Sequence, residues 1–559
     1  MTAPLDPPLP PSGAPSGTPS GAPSDAPWAR GAAVVAGLTF ASRVMGLVRI
    51  VTATAVLGIT YLGNTYASAN AVPNLLFEVF AGGALAAVLL PALSAPLARA
   101  ERGETERVAS AFATNALVVL TPVVVAGLVL RGPLMALLTS GVADPAVRAQ
   151  ERELGEFLLL FFLPQIWLYG LGTVLTGVLH AHHRFAGPAL APLLSSVVVT
   201  ASYLLYALVE GPQARQLGEI SAPGRMILGM GTTAGVATLS LSLLLPIRRL
   251  RLRWRPVLAI PEEARGITRR LLGSAVLAVL AQQVLLGVVL VIANAVEGGV
   301  VAYQLAFTIL LFPWAVLAVP VASASFPGLS EAAALADMGR FGQRCAAATR
   351  ILGLAVFGGA AALVATAAPG SRLIGALGLG GKASAAVLVP TISAFAPGLI
   401  GYGAYALLTR VAYALGDGRS PSLAAAAGFG LAAVGDLVSS VLLGGTALIA
   451  ALAGAFSIGM IVAAGVLLLR LRRTAGSEAF AGLGVTTLRG LGAGGLSALA
   501  GSALARALPR ADLWESLASC LAAGLAAVLT YLVAQYLLGD RELARVAGFL
   551  RLDPRGRST

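Results

Sequence analysis

Lysine is nearly missing from this sequence: Lys382 is the only one in 559 residues, and charged side chains of all kinds make up 11%. Soluble domains carry roughly a quarter charged residues, so an ordinary water-facing surface is excluded. Cysteine is as scarce: Cys345 and Cys520 lie far apart in apolar sequence, which excludes a disulfide framework and leaves both as small buried hydrophobes. The three histidines, His180, His182 and His183, crowd into one segment, HAHHRF, with no cysteine or carboxylate at ligand spacing, so no metal site is expected. Also missing are a glycine-rich phosphate loop with its lysine, a nucleophile elbow, and a carboxylate pair spaced for acid–base work. These absences exclude an ATPase and a membrane-embedded enzyme, and no cofactor is called for.

What is present is hydrocarbon. Hydrophobic residues make up 57% of the chain and the mean hydropathy is +0.85, the mark of an all-α polytopic membrane protein. Apolar windows bounded by charge, glycine and proline place fourteen spans near 32–57, 62–97, 108–130, 154–182, 186–208, 226–247, 268–294, 298–329, 345–368, 386–415, 421–443, 447–469, 487–505 and 513–537. The second and eighth exceed one straight crossing and hold Pro73 and Pro313, so kinked or broken helices are expected there. Residues 1–30, rich in Pro, Ser, Gly and Ala, read as a disordered tail. The net charge of +13 is almost all arginine and gathers in connections after even-numbered spans, such as RRLRLRWRP (248–256), RLRR (470–473) and the tail from Asp540. The positive-inside rule then puts both termini in the cytoplasm and reads these runs as membrane-surface loops rather than a nucleic-acid site.

The sequence repeats itself. PQIWLYGLGTVLTGVLHAHHRFAGP from Pro164 and PGLIGYGAYALLTRVAYALGDGRSP from Pro397 share eight identities in 25 ungapped positions. Pro91-Ala-Leu-Ser94 against Pro327-Gly-Leu-Ser330 is a second echo at nearly the same offset. The domain reading is a lobe of six spans over 31–247, a basic linker over 248–267, a second six-span lobe over 268–470, a C-terminal pair of spans over 471–538 and a basic tail over 539–559. Two such lobes around a central site are a common plan for alternating access.

Charges inside the spans are expensive and mark a cavity or a partner. Two lie in ASRVMGLVRI (41–50), Arg43 and Arg49, about 240° apart around a helix. Guanidinium forks bind phosphate oxygens bidentately and keep their proton, which suits an anionic substrate; pairing with Glu78 or with backbone carbonyls is the other reading. Asn70 and Asn74 share a face of span 2, with Asn64 a further turn and a half away, and such amides line a cavity or bridge helices. Arg43, Arg49, Asn64, Asn70, Asn74 and Glu78 form the candidate substrate-binding set. Arg410, near a helix end, reads as an anchor, and Asp436 as an interhelical bond.

The order SRVMGLVR (42–49), Gly63-Asn64-Thr65-Tyr66, then VPNLLFEVFAGGALAAVLLPALS (72–94), with Phe312-Pro313 and fourteen spans, resembles the MurJ (MviN) family of the multidrug/oligosaccharidyl-lipid/polysaccharide exporter superfamily over about residues 31–538. The resemblance implies a transporter that flips lipid II, the polyprenyl-pyrophosphate-linked peptidoglycan precursor, across the cytoplasmic membrane by alternating access. Its implied partners are lipid II and membrane lipids, with cell-wall synthesis proteins if the chain is instead a scaffold, and no nucleic acid. It also implies that Arg43 and Arg49 face the pyrophosphate and that the last two spans form a lipid-tail groove. Another polyprenyl-linked saccharide is the alternative substrate. The chain departs from the better-known members at Asn64 (there aspartate), Phe77 (arginine) and Gly82 (glutamate), and at Thr308 and Leu311, where an Arg/Glu pair is usual; the resemblance therefore implies a less charged site.

Overall fold

A computed structural model describes residues 26–211, 216–259, 262–376, 382–508 and 512–539. The first 25 residues of the tail, the C-terminal segment from Asp540 and positions 260–261 of the linker lie outside the described residues.

The described chain is a succession of helices. α1 (Ala26–Leu57) leads to α2 (Tyr61–Phe77), a π-helical turn (Glu78–Gly82) and α3 (Gly83–Ala98), then α4 (Arg102–Leu138), α5 (Pro145–Phe162), α6 (Gln165–Ala181), α7 (Ala186–Glu210), α8 (Ala222–Leu241) and α9 (Leu244–Arg248). α10 (Glu262–Ala293), α11 (Gly299–Pro313), a second π turn (Trp314–Ala318), α12 (Val319–Ala334), α13 (Met338–Ala376), α14 (Lys382–Ala414), α15 (Arg419–Leu442) and α16 (Gly445–Ala475) follow, with α17 (Leu483–Ala507) and α18 (Leu513–Leu537) at the end. Among the described residues twelve helical segments are long and apolar enough to cross a membrane; the expected spans 62–97 and 487–505 coincide with α2–α3 and α17.

Polar side chains set the helix starts where the sequence supplies them. Thr60, Asp144, Ser221 and Asp512 each accept a backbone N–H of the first turn of α2, α5, α8 and α18, satisfying donors that hydrocarbon cannot. Gly58, at φ 76°, ends α1 in the left-handed conformation that a Cβ would disfavour.

Both long spans are interrupted, and the interruptions are equivalent. The two π turns are separated by the same number of positions as Pro91 and Pro327. A π turn carries one extra residue, which rotates the helix beyond it and opens its backbone ladder. Proline alone does not locate the break, since Pro313 adjoins its turn while Pro73 lies five positions before the other.

Packing repeats as well. α1 lies on α7 as α10 lies on α15; α7 pairs with α8 as α15 with α16; α4 and α8 flank α6 as α13 and α16 flank α14. α17 and α18 pack on each other and on α13. The halves meet where α2, its π turn and α3 touch α10, and where α2 touches α11.

Hydrophobic burial drives little association in lipid, so close backbone approach has to hold the helices. At the α15/α16 crossing a Cβ on Gly428 would stand 2.5 Å from the Gly459 carbonyl oxygen, and Gly459 faces Gly428 in return. Replacing Gly428 by valine forces the two backbones apart and is expected to destabilise by about 2 kcal/mol or more, as overpacking does. A fall of several degrees in the unfolding temperature of the purified protein would register it; an unchanged midpoint would show that the crossing can widen freely.

Candidate functional site

Between the halves lies a cavity of about 420 Å³. α1 lends it Arg49 and Thr54; α2 lends Tyr66, Asn70 and Asn74; α6 lends Tyr169; α7 and α8 lend Ser195, Tyr203 and Thr232; α11 lends Gln304 and Thr308. The spacing of four puts Asn70 and Asn74 on one face of α2. Among the described residues Arg49 is the only cation on the wall.

The wall divides into groups whose hydrogen bonds are already used and groups left open. Thr232 donates its hydroxyl proton to the Leu228 carbonyl (2.8 Å). Tyr66 must then donate to Thr232 (2.6 Å) and Tyr203 to Tyr66 (2.8 Å). This chain of hydroxyls ties α2, α7 and α8 together and keeps no proton for a ligand. The side-chain amides of Asn70, Asn74 and Gln304, by contrast, hold no hydrogen bond within the described protein, and Arg49 joins no ion pair. One fixed positive charge beside three open amides is an anion-binding composition.

Next to the Gly58 and Gly63 end of the cavity, asparagines bridge the halves reciprocally. Asn64, fully buried, donates through Nδ2 to the Val296 carbonyl (2.8 Å) and accepts from the Val300 N–H through Oδ1 (3.0 Å). From the other half, Asn294 donates to Ser68 Oγ (3.0 Å) and to the Leu138 carbonyl (3.0 Å). Gly298 sits against Ile59 and Gly63 against Val301, both too close for a Cβ. The halves are therefore joined here by hydrogen bonds and glycine contacts, without an ion pair among the described residues.

The structure separates the candidate set. Arg49, Asn70 and Asn74 line the cavity, whereas Arg43, Asn64 and Glu78 do not. Arg43 is exposed on α1, on a different face of the helix from Arg49. Both ends of the Asn64 amide, read as substrate-binding from the sequence, are spent across the interface. Glu78 is half-buried on the first π turn and pairs with neither arginine. Both carboxylate oxygens of Asp436 are buried without a hydrogen-bond partner, so the interhelical bond read for it is absent. Arg410 is exposed and lies 5.8 Å from the Phe326 ring.

Several groups escaped the sequence reading. Ser195, Thr232 and Gln304 are uncharged, and a neutral polar residue inside a span is too common to stand out; Thr308 was singled out only as a departure from the family pair. Glu151, fully buried with Oε1 3.1 Å from Thr65 Oγ1, lies on α5 three positions ahead of the span expected at 154–182. Its signal was a carboxylate one turn before an apolar run.

Comparison with known proteins places this geometry. A family model described as lipid II flippase MurJ matches residues 53–510. The chain is 26% identical over 406 residues to a probable lipid II flippase MurJ of Synechocystis sp., covering 70% of this chain and 72% of that one. It is 28% identical over 178 residues to one of Rickettsia prowazekii, covering 32% of this chain and 34% of that one, so there it spans about a third of the relative's length. Among solved structures, a lipid II flippase MurJ in an inward closed conformation superposes with a TM-score of 0.70 at 18% identity, over 90% of this chain and 99% of that chain. An inward-facing multidrug resistance MATE family transporter of the MOP superfamily gives 0.63 at 14% identity, over 78% and 95%. At these identities the two structures show a shared fold.

Proposed function

Since the chain belongs to the lipid II flippase MurJ family, we propose that Arg49 grips the pyrophosphate of lipid II in the central cavity while Asn70, Asn74 and Gln304 take its remaining oxygens and the neighbouring sugar hydroxyls. The observation that carries this reading is the single cation beside three unbonded amides on the cavity wall. A desolvated pyrophosphate needs fixed donors to replace its water, and guanidinium and amide N–H groups supply them without giving up a proton.

Transport then follows alternating access in the cytoplasmic membrane, with both termini in the cytoplasm. In that orientation the Thr60 end of the cavity faces outward, and the Asn64 and Asn294 bonds form the outer closure. Lipid II enters from the cytoplasmic side, the halves rock, and those bonds break to release it. The paired π turns in α2–α3 and α11–α12 supply the bending points, because each already has an opened ladder. The substrate's lipid tail stays in the bilayer.

Fluorescent lipid II in liposomes tests the amides. Asn70→Ala with Asn74→Ala is expected to slow translocation about tenfold, as removal of hydrogen bonds to a charged group worth about 1.5 kcal/mol would do. Wild-type rates in the double variant would remove these amides from the binding site.

A further inference from the structure

The linker after α9 contributes no residue to the cavity wall and makes a structure of its own. Arg251, at φ 52°, turns the chain out of α9, and residues 252–259 run on without helix. Three side chains of α4 hold this strap by its backbone: Ser110 accepts the Arg255 N–H (3.2 Å), Thr114 the Val257 N–H (3.2 Å), and Asn115 donates to the Leu258 carbonyl (3.1 Å). Arg102 reaches the Arg251 carbonyl (2.6 Å). Leu250 and Leu252 pack against the apolar cluster formed by α3, α4, α6 and α9.

The alternation RRLRLRWR thereby acquires a physical meaning. Its leucines are turned into the protein, while Arg248, Arg249, Arg251, Arg253 and Arg255 are all exposed. No described carboxylate forms an ion pair with any of them. Arg253 and Arg255 are about 6.7 Å apart along extended chain. Exposed apolar side chains, Leu245, Trp254 and Leu258, stand among the arginines. The strap begins where the membrane-crossing α8 and its continuation α9 end and follows α4 from Arg102 to Asn115, at the end of the bundle where both helices leave the apolar run. Arg184 is exposed on the turn before α7, and Gly187 in the first turn of α7 lies against Pro246.

From these features we propose that the strap is a binding site for anionic phospholipid headgroups of the leaflet on its own side, the cytoplasmic one in the orientation above. A phosphodiester lipid offers the guanidinium groups a negative charge and offers Trp254 and the two leucines an acyl-chain border. A soluble anion or a nucleic acid satisfies the first group and leaves the second in water. Because the strap is the covalent link between the halves and is pinned to α4, bound headgroups fix its first-half end at the membrane surface.

The test uses the full chain in phosphatidylcholine nanodiscs doped with brominated phosphatidylglycerol or, separately, brominated phosphatidylcholine. Trp254 emission is isolated as the difference between wild type and Trp254→Phe. Brominated phosphatidylglycerol is expected to quench it roughly threefold more than brominated phosphatidylcholine, with the excess removed by high salt. Replacing Arg249, Arg251, Arg253 and Arg255 together by glutamine should abolish the excess, and replacing Arg470, Arg472 and Arg473 by glutamine should leave it. Equal quenching by the two lipids in wild type, or an excess that survives both salt and the strap substitutions, overturns the proposal. Arg49→Ala should retain the excess, which separates this site from the substrate cavity.

Discussion

Arg49→Ala is expected to lower lipid II translocation about a hundredfold in proteoliposomes, while Arg43→Ala lowers it far less. Arg49 is the cation on the cavity wall, and a charge-assisted bidentate contact in a site shielded from water is worth about 3 kcal/mol, or two decades in rate or affinity. Arg43 is exposed and lies outside the cavity wall. The asymmetry is the informative part, since two arginines six positions apart would be equivalent if both faced the ligand. Arg49→Lys should recover part of the rate, because lysine restores the charge without the planar fork. Folding is spared, as Arg49 joins no ion pair among the described residues. Equal losses in the two alanine variants would move the substrate to a second face of α1.

The second large effect concerns the seal. Asn64→Ala removes both cross-half bonds at once and strands the Val296 carbonyl and the Val300 N–H in a buried interface. An unsatisfied buried group costs about 1–3 kcal/mol, so the balance between sealed and open forms should shift by one to two decades. The measurement is labelling of a single cysteine at Thr54, on the cavity wall, in a Cys345→Ala, Cys520→Ala background, with a membrane-impermeant maleimide applied from the Thr60 side. Labelling in the Asn64→Ala variant should be at least tenfold faster than with Asn64 present. Asn64→Asp should fall between, since a carboxylate still accepts from Val300 but opposes the Val296 carbonyl. Identical labelling in all three would mean that the two asparagines do not hold the cavity shut.

These outcomes turn on features that differ in how far they could be read in advance. Span positions were legible because a membrane helix must be continuously apolar for about 20 residues, and the breaks in the second and eighth spans because their length exceeds one crossing. The repeat between Pro164 and Pro397 also had a structural counterpart, in the matching neighbours of α6 and α14. The strap was visible only as an alternation of arginine and leucine. Its bonds to Ser110, Thr114 and Asn115 bridge more than 140 positions, and no local pattern encodes a partner that distant.

By itself, then, the sequence determined the class of molecule, the helical spans, the internal repeat and the presence of rare charges in hydrocarbon, because lipid imposes those constraints one segment at a time. Only the tertiary structure decided which of those charges lines the cavity. Arg43 and Arg49 look alike along the chain and part company through helix rotation, and Asn64 resembles Asn70 and Asn74 until the turn between α10 and α11 comes to meet it. Rotation and partnership between helices more than 200 positions apart are properties of packing, and packing is where an amide open to the cavity and one spent across the halves become distinguishable.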